Sequence, residues 1–489
     1  MSRSNIPRRM RAGLLSLCLG LIALPVPAGG HPFPASSAAL RRDVDVSGTV
    51  RHLRKLQRIA DRNDGTRAAG TPGYAASARY VSRKLARWGW DVSSQSFEFL
   101  SFTEVEPTVM EQVTPEEIAY EEGIDFSIMS YSGSGDVTAA ATPVDVQIED
   151  PSEVTSGCED EDFAGFPAGN IALIQRGTCT FQEKAINAEE AGAAAAIIFN
   201  QGNTDERSLL LEGDVGDDTT STIPVVGTTF ALGAELAGLQ GLTIHLVTVT
   251  ETELLTTRNV IAELGSGGDV VMAGAHLDSV ADGPGIQDNG TGVATLLEIA
   301  DEIRTQSPGF ANRVRLAFWG AEEAGLIGST EYVAALTEEQ GAEIAAYLNF
   351  DMIGSPNYAR MIYDGNGSSS PDTGGGPAGS DAIERVFQRY FQKQGLATIQ
   401  TPFDGRSDYG PFIDVGIPAG GLFTGAEDIK TPQEAELFGG TAGEAYDSCY
   451  HQACDNLSNV NRSVLGQMAD AAAHAIFTFA RSTSSVRSE

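Results

Sequence analysis

Apolar runs of strand length alternate with helix-period segments through most of this chain, and residues with useful chemistry sit where the runs stop. Val270–Ala273, Val314–Trp319 and Tyr347–Phe350 read as buried strands, being too short for packed helices. Val293 to Ile303 has helical spacing, and so does Tyr74 to Trp88, where Val81, Leu85 and Trp88 recur after a glycine-proline turn. Strands alternating with helices predict an α/β fold, a mixed, mainly parallel sheet flanked by helices. In open sheets of that kind, functional groups gather in loops at the strand carboxyl ends. A second region carries its own pattern: strand Ile171–Gln175, helix Phe181–Ala191, strand Ala193–Phe199 and a further strand, Ile223–Val226. Gly365 to Gly379, rich in Gly, Ser and Pro, reads as a mobile loop near the cleft.

The strand ends hold the candidate chemistry. His276 follows the first apolar run in G-A-H-L-D-S-V, Asp288 lies in the glycine-rich G-I-Q-D-N-G-T-G-V, Glu322 and Glu323 close the next strand, and Asp351 closes another in N-F-D-M-I-G. His451 comes later, in C-Y-H-Q-A-C-D. Two imidazoles with three carboxylates suit a pair of zinc ions sharing one bridging carboxylate, with the remaining glutamate as base. Any one of these residues alone is ordinary; the joint pattern, in a chain with only six histidines, is not.

Taken together, H-L-D-S-V, G-I-Q-D-N-G-T-G, G-A-E-E-A-G-L-I-G-S, N-F-D-M-I-G and C-Y-H-Q-A-C-D resemble the secreted co-catalytic dizinc aminopeptidases of the bacterial leucine and aminopeptidase Y types, over nearly all of residues 255–480. The resemblance implies a zinc exopeptidase-like fold in which Asp288 bridges two zincs, His276 and Asp351 complete one ion, and Glu323 and His451 the other. It implies Glu322 as general base and acid, Asp278 as the group orienting His276, Tyr450 as a hydroxyl steadying the developing oxyanion, and a cis peptide between Asp288 and Asn289. The expected substrates are peptides or proteins with a free amino terminus and a large apolar first residue. Arg406, in D-G-R-S-D-Y, is a candidate for binding a substrate carboxylate, with a structural role near the cleft as the rival. A glutaminyl cyclase, which resembles this ligand set but uses one zinc, and a catalytically dead binding or receptor module are the alternative readings.

The stretch N-I-A-L-I-Q-R-G-T-C-T-F with A-G-A-A-A-A-I-I-F-N is similar to the protease-associated domain, a small β-rich insert of peptidases. It is expected at 126–250, dividing a catalytic domain into 47–125 and 251–485. Between Ala141 and Thr220 there are 17 acids against 3 bases, in a chain of net charge −34. Such acidity argues against nucleic acid, whose phosphates would be repelled, and leaves calcium binding by some of these acids as a minor reading.

Arg3, Arg8 and Arg9, the apolar Leu14–Leu24 and Val26-Pro27-Ala28 read as a signal peptide over residues 1–28. The stretch 29–46 is then a pro-segment or a disordered start. No other apolar run approaches the roughly 20 residues of a membrane span, so the mature protein is expected outside the cell, off the membrane and monomeric. Of its four cysteines, Cys449 and Cys454 bracket His451 and are expected to pair, as are Cys158 and Cys179 in the insert.

Overall fold

The computed structural model describes residues 36–216, 222–304, 310–370 and 374–487. The proposed signal peptide lies outside them. Among the described residues no helix is long and apolar enough to cross a membrane.

The layer expected to be catalytic is a mixed sheet whose central strands, Ala419–Phe423, Ile344–Phe350, Val270–His276 and Arg313–Trp319, run parallel in that spatial order. Every residue of Val270–His276 and Ile344–Phe350 is buried, which is why both read as continuous apolar runs with no alternation. The helices Gly290–Ile303 and Arg462–Arg481 cover one face; buried Ala471, Ala472, Ala473 and Ala475 let the latter pack closely. On the other face Tyr347 and Phe412 stack at 3.9 Å with Trp319 beside them.

Local signals explain the element ends. The Pro72–Arg87 helix begins at Thr71, whose hydroxyl accepts from the Tyr74 amide, with Pro72 at the position where its missing N–H costs nothing. The Gly290–Ile303 helix starts three residues before the apolar spacing suggested, because the Asn289 side chain caps it by accepting from the Gly292 amide. The glycines there disguise a helix start as a turn.

Part of the stretch read as a pro-segment or disordered start is ordered. Ser37–Asp43 is a helix whose Leu40 is buried, and Ser37 Oγ lies 2.7 Å from His474 Nδ1 on the Arg462–Arg481 helix. Apolar burial there is what the sequence reading overlooked. The described parts of the Gly365–Gly379 loop are likewise pinned. Asp364 accepts from the amides of Ser368 and Ser369, and none of the loop's described residues lines the cleft.

The inserted unit has parallel strands Gly135–Val144, Ile171–Gln175, Ala195–Phe199 and Val225–Thr228. It joins the catalytic layer without a linker. Asp91–Thr114 and Thr243–Leu264 pair antiparallel along their length, so that Thr243–Leu264 contacts Arg313–Trp319 at one end and Gly135–Val144 at the other. The expected junction at 250 therefore falls inside a strand, in a stretch from Val249 to Thr256 with no buried residue, between the alternating burial of the insert end and the continuous burial of Asn259–Ala262. The expected Cys158–Cys179 disulfide is present.

Candidate metal centre

Each candidate ligand arrives at one end of the sheet from a different segment. His276 terminates its strand; Asp351 follows Phe350 on the neighbouring one; Glu322 and Glu323 follow Trp319 beyond a short turn. Ala321, Met352 and His451 all adopt the left-handed backbone region, at φ of 57°, 46° and 56°. For non-glycine residues that region costs on the order of 1–3 kcal/mol and persists where surroundings impose it, commonly at functional sites. The Asp288-Asn289 peptide is cis, as expected.

The two imidazoles address opposite oxygens of one carboxylate. His276 Nε2 is 3.0 Å from Asp288 Oδ1 and 3.3 Å from Asp351 Oδ1. His451 Nε2 is 3.5 Å from Asp288 Oδ2 and 3.0 Å from Glu323 Oε2. Ligand atoms of His276, Asp288 and Glu323, and again of His276, Glu322 and Asp351, lie within 4.8 Å of one another. His451, the most exposed of the set, falls outside these two tight groups but closes the second half of the site through Glu323.

Four carboxylates converging on two imidazoles in a buried space is a donor set that fits divalent cations. Buried Glu323 Oε1 and Asp351 Oδ1 also have no hydrogen-bond partner. Burial opposes charge on His276, yet Glu322 and Asp351 outweigh it and hold the imidazole well above its ordinary pKa. Burial, joined by Asp408, Asp351 and Glu323, raises Glu322 well above the carboxylate range. His451 is pushed up to about 10: burial works against this, and Asp288 and Glu323 prevail.

Asp278, expected to orient His276, makes its hydrogen bonds elsewhere in this structure. Its oxygens accept from the backbone amides of Glu322 and Glu323 at 3.3 Å each, whereas His276 Nδ1 is 3.8 Å away and has no hydrogen-bond partner. The carboxylate therefore fixes the turn presenting both glutamates. Tyr450 stacks on the His451 ring at 3.8 Å. Arg406 donates to Glu427 at 2.7 Å and to the Tyr450 hydroxyl at 3.3 Å, so its charge is already engaged within the protein. Cys449 and Cys454 form the disulfide spanning His451.

Three supporting residues escaped the sequence reading, although two of them, Ser407 and Asp455, lie within quoted motifs. Ser407, next to Arg406, donates to Asp351 Oδ2 at 2.5 Å and is itself held by Asn349. Asp455, the last residue of C-Y-H-Q-A-C-D, accepts from the amides of Gln287 and Asp288, tying the His451 loop to the bridging position. Arg67 is completely buried and its guanidinium donates to the carbonyls of Leu277, Pro284 and Gly285, clamping the segment between His276 and Asp288. Arg67→Met should strand the carbonyls of Leu277 and Pro284, while that of Gly285 keeps the Gly290 amide. Since an unsatisfied buried group costs about 1–3 kcal/mol, the denaturation midpoint should fall by the equivalent of at least about 2 kcal/mol.

A cavity of about 570 Å³ opens on the cluster and extends past Met352, Met361, Ile399 and Phe423. Those four residues form an apolar patch in its wall, beside polar groups that include Gln400, Thr401, Asp404, Arg406, Asp428 and Glu434.

Comparison with known proteins agrees with this geometry. Residues 259–476 match the model of peptidase family M28 and residues 140–236 that of the PA domain. An aminopeptidase of Pseudomonas aeruginosa is 47% identical over 477 residues, covering 97% of this chain and 86% of the relative. A probable leucine aminopeptidase 2 of Aspergillus fumigatus is 40% identical, covering 86% and 80%. The solved aminopeptidase from Aneurinibacillus sp. strain AM-1 superposes with a TM-score of 0.70 at 26% identity, covering 91% of this chain and 96% of its own. With that relationship spanning both units of the fold, the chain belongs to peptidase family M28, with a PA domain inserted into its catalytic layer.

Proposed function

We propose that this chain is an exported aminopeptidase that removes single residues from the free amino ends of peptides and proteins, using two zinc ions. The observation that carries the reading is the placement of His276 and His451 on opposite oxygens of Asp288. His276 and Asp351 would hold one ion with Asp288, and Glu323 and His451 the other. Bound there, zinc supplies Lewis acidity, lowering the pKa of a water and polarising the scissile carbonyl.

The remaining work falls to the protein. Glu322 takes the proton of the attacking water and passes it to the leaving amine nitrogen, a role helped by burial that raises its proton affinity. The Tyr450 hydroxyl, oriented by Arg406, donates to the carbonyl oxygen as negative charge develops. Glu322 and Asp351 offer the substrate ammonium a negative environment. Met352, Met361, Ile399 and Phe423 give a large apolar first side chain a surface on which to bury. A signal-like amino terminus and two disulfides support export.

The test compares Leu-anilide with acetyl-Leu-anilide. Acetylation removes the positive charge that the carboxylates would hold, so turnover should disappear; efficient cleavage of the acetylated compound would refute the reading.

A further inference from the structure

Net charge conceals a local reversal. Residues 41–87 contain 12 of the chain's 32 lysines and arginines but only 4 of its 66 acids. Folding gathers this excess on two helices, Val46–Ala60 and Pro72–Arg87, which meet along a groove of about 380 Å³ lined by Lys55, Arg79, Arg83, Lys84 and Arg87. None of these five forms an ion pair with a carboxylate among the described residues, in a protein where carboxylates outnumber cations twofold. Exposed Arg79, Arg83 and Arg87 recur every fourth position, so they form a row with a repeat of about 6 Å along the helix axis.

We propose that this groove binds a linear anionic polysaccharide bearing uronate or sulfate groups. At physiological salt, charges beyond about 8 Å are largely screened. A slender chain can therefore follow the row while avoiding the acidic remainder of the surface. A second copy of this protein, carrying its own charge of −34, would bring its acidic surface with it. A flat bilayer would not follow a recess between two helices. Single-stranded nucleic acid is recognised by bases stacked on free aromatic faces, and the aromatics here are occupied: Lys55 lies over the Tyr80 ring and Lys84 over that of Trp88. An extended peptide would look for backbone partners, but both walls are helices whose backbone bonds are satisfied internally. Sugar carboxylates or sulfates need only the guanidinium fork.

The site is remote in role from the metal cluster, so binding and peptidase activity can be read separately. Polygalacturonate should bind the full-length protein, with log affinity falling linearly as log salt rises. The triple variant Arg79→Gln/Arg83→Gln/Arg87→Gln should reduce that slope by roughly three and weaken binding at low salt at least tenfold, while Leu-anilide turnover is unchanged. Lysines at the same three positions should restore most of the affinity. The proposal is overturned if polygalacturonate does not bind, if the glutamine variant binds it equally well, or if polyglutamate, single-stranded DNA or phosphatidylserine vesicles bind more tightly than the polysaccharide.

Discussion

Glu322→Gln should reduce turnover of Leu-anilide by about 10²–10⁴-fold, the range assigned to a positioned acid–base group, while zinc content stays at the wild-type level. Glutamine preserves shape but cannot accept the water's proton. The geometry separates this residue from its neighbour. Glu323 Oε2 lies 3.0 Å from His451 Nε2, in the half of the site that His451 shares with Asp288, whereas Glu322 is 3.8 Å from His276. The backbone amides of both glutamates are held by Asp278 whatever the side chain at 322, so the variant should remain well ordered. Elemental analysis and steady-state kinetics on one preparation decide the matter. Loss of zinc with Glu322→Gln, or a mild kinetic effect, would mean that the two glutamates exchange roles.

Asp288→Ala should do the opposite, removing metal first and activity as a consequence. One carboxylate faces both imidazoles, and its amide is fixed by Asp455. Its deletion takes a ligand from each half of the site at once. The wild type is expected to retain about two zincs per chain after gel filtration, and the variant well under one, with hydrolysis at the level of the uncatalysed reaction. Chelation of the wild type should reproduce the loss, and added zinc should reverse it in the wild type alone. If Asp288→Ala kept both ions, the bridging assignment would be wrong even though the family assignment would stand.

Residues that supply reactive groups were legible because their chemistry is uncommon and their positions are set by short motifs after apolar runs. His276, Asp288, Glu322, Glu323, Asp351 and His451 are brought to one place, and the cysteine pairs match. Supporting residues were harder to see because their function lies in what they touch across the fold. Arg67 is 210 residues from the Leu277 carbonyl to which it donates, and a sequence offers no sign that an arginine after a turn will be buried. Asp278 lay in a quoted motif, yet its contacts with the backbone of the glutamates were not foreseen. Proximity in sequence favoured His276, whereas the backbone of Glu322 and Glu323, on a neighbouring strand's end, needed an acceptor. The start of the Gly290–Ile303 helix and the whole Ser37–Asp43 helix were missed for a similar reason, since caps and tertiary burial override local composition.

The continuous pairing of Asp91–Thr114 with Thr243–Leu264 makes the inserted unit an exchangeable cargo. Glu104 and Thr250 face each other in the ladder, so joining them by a two-residue Asn-Gly turn would convert the remaining strands into an ordinary hairpin. The apolar interior of the catalytic layer draws on residues before 100 and after 259, and that of the insert on residues between 110 and 246. Neither interior loses a member in the excision. Acquiring such a unit would then require only the lengthening of one hairpin tip, with the ladder itself as the splint and the register shifts just beyond Glu104 marking where one unit gives way to the other.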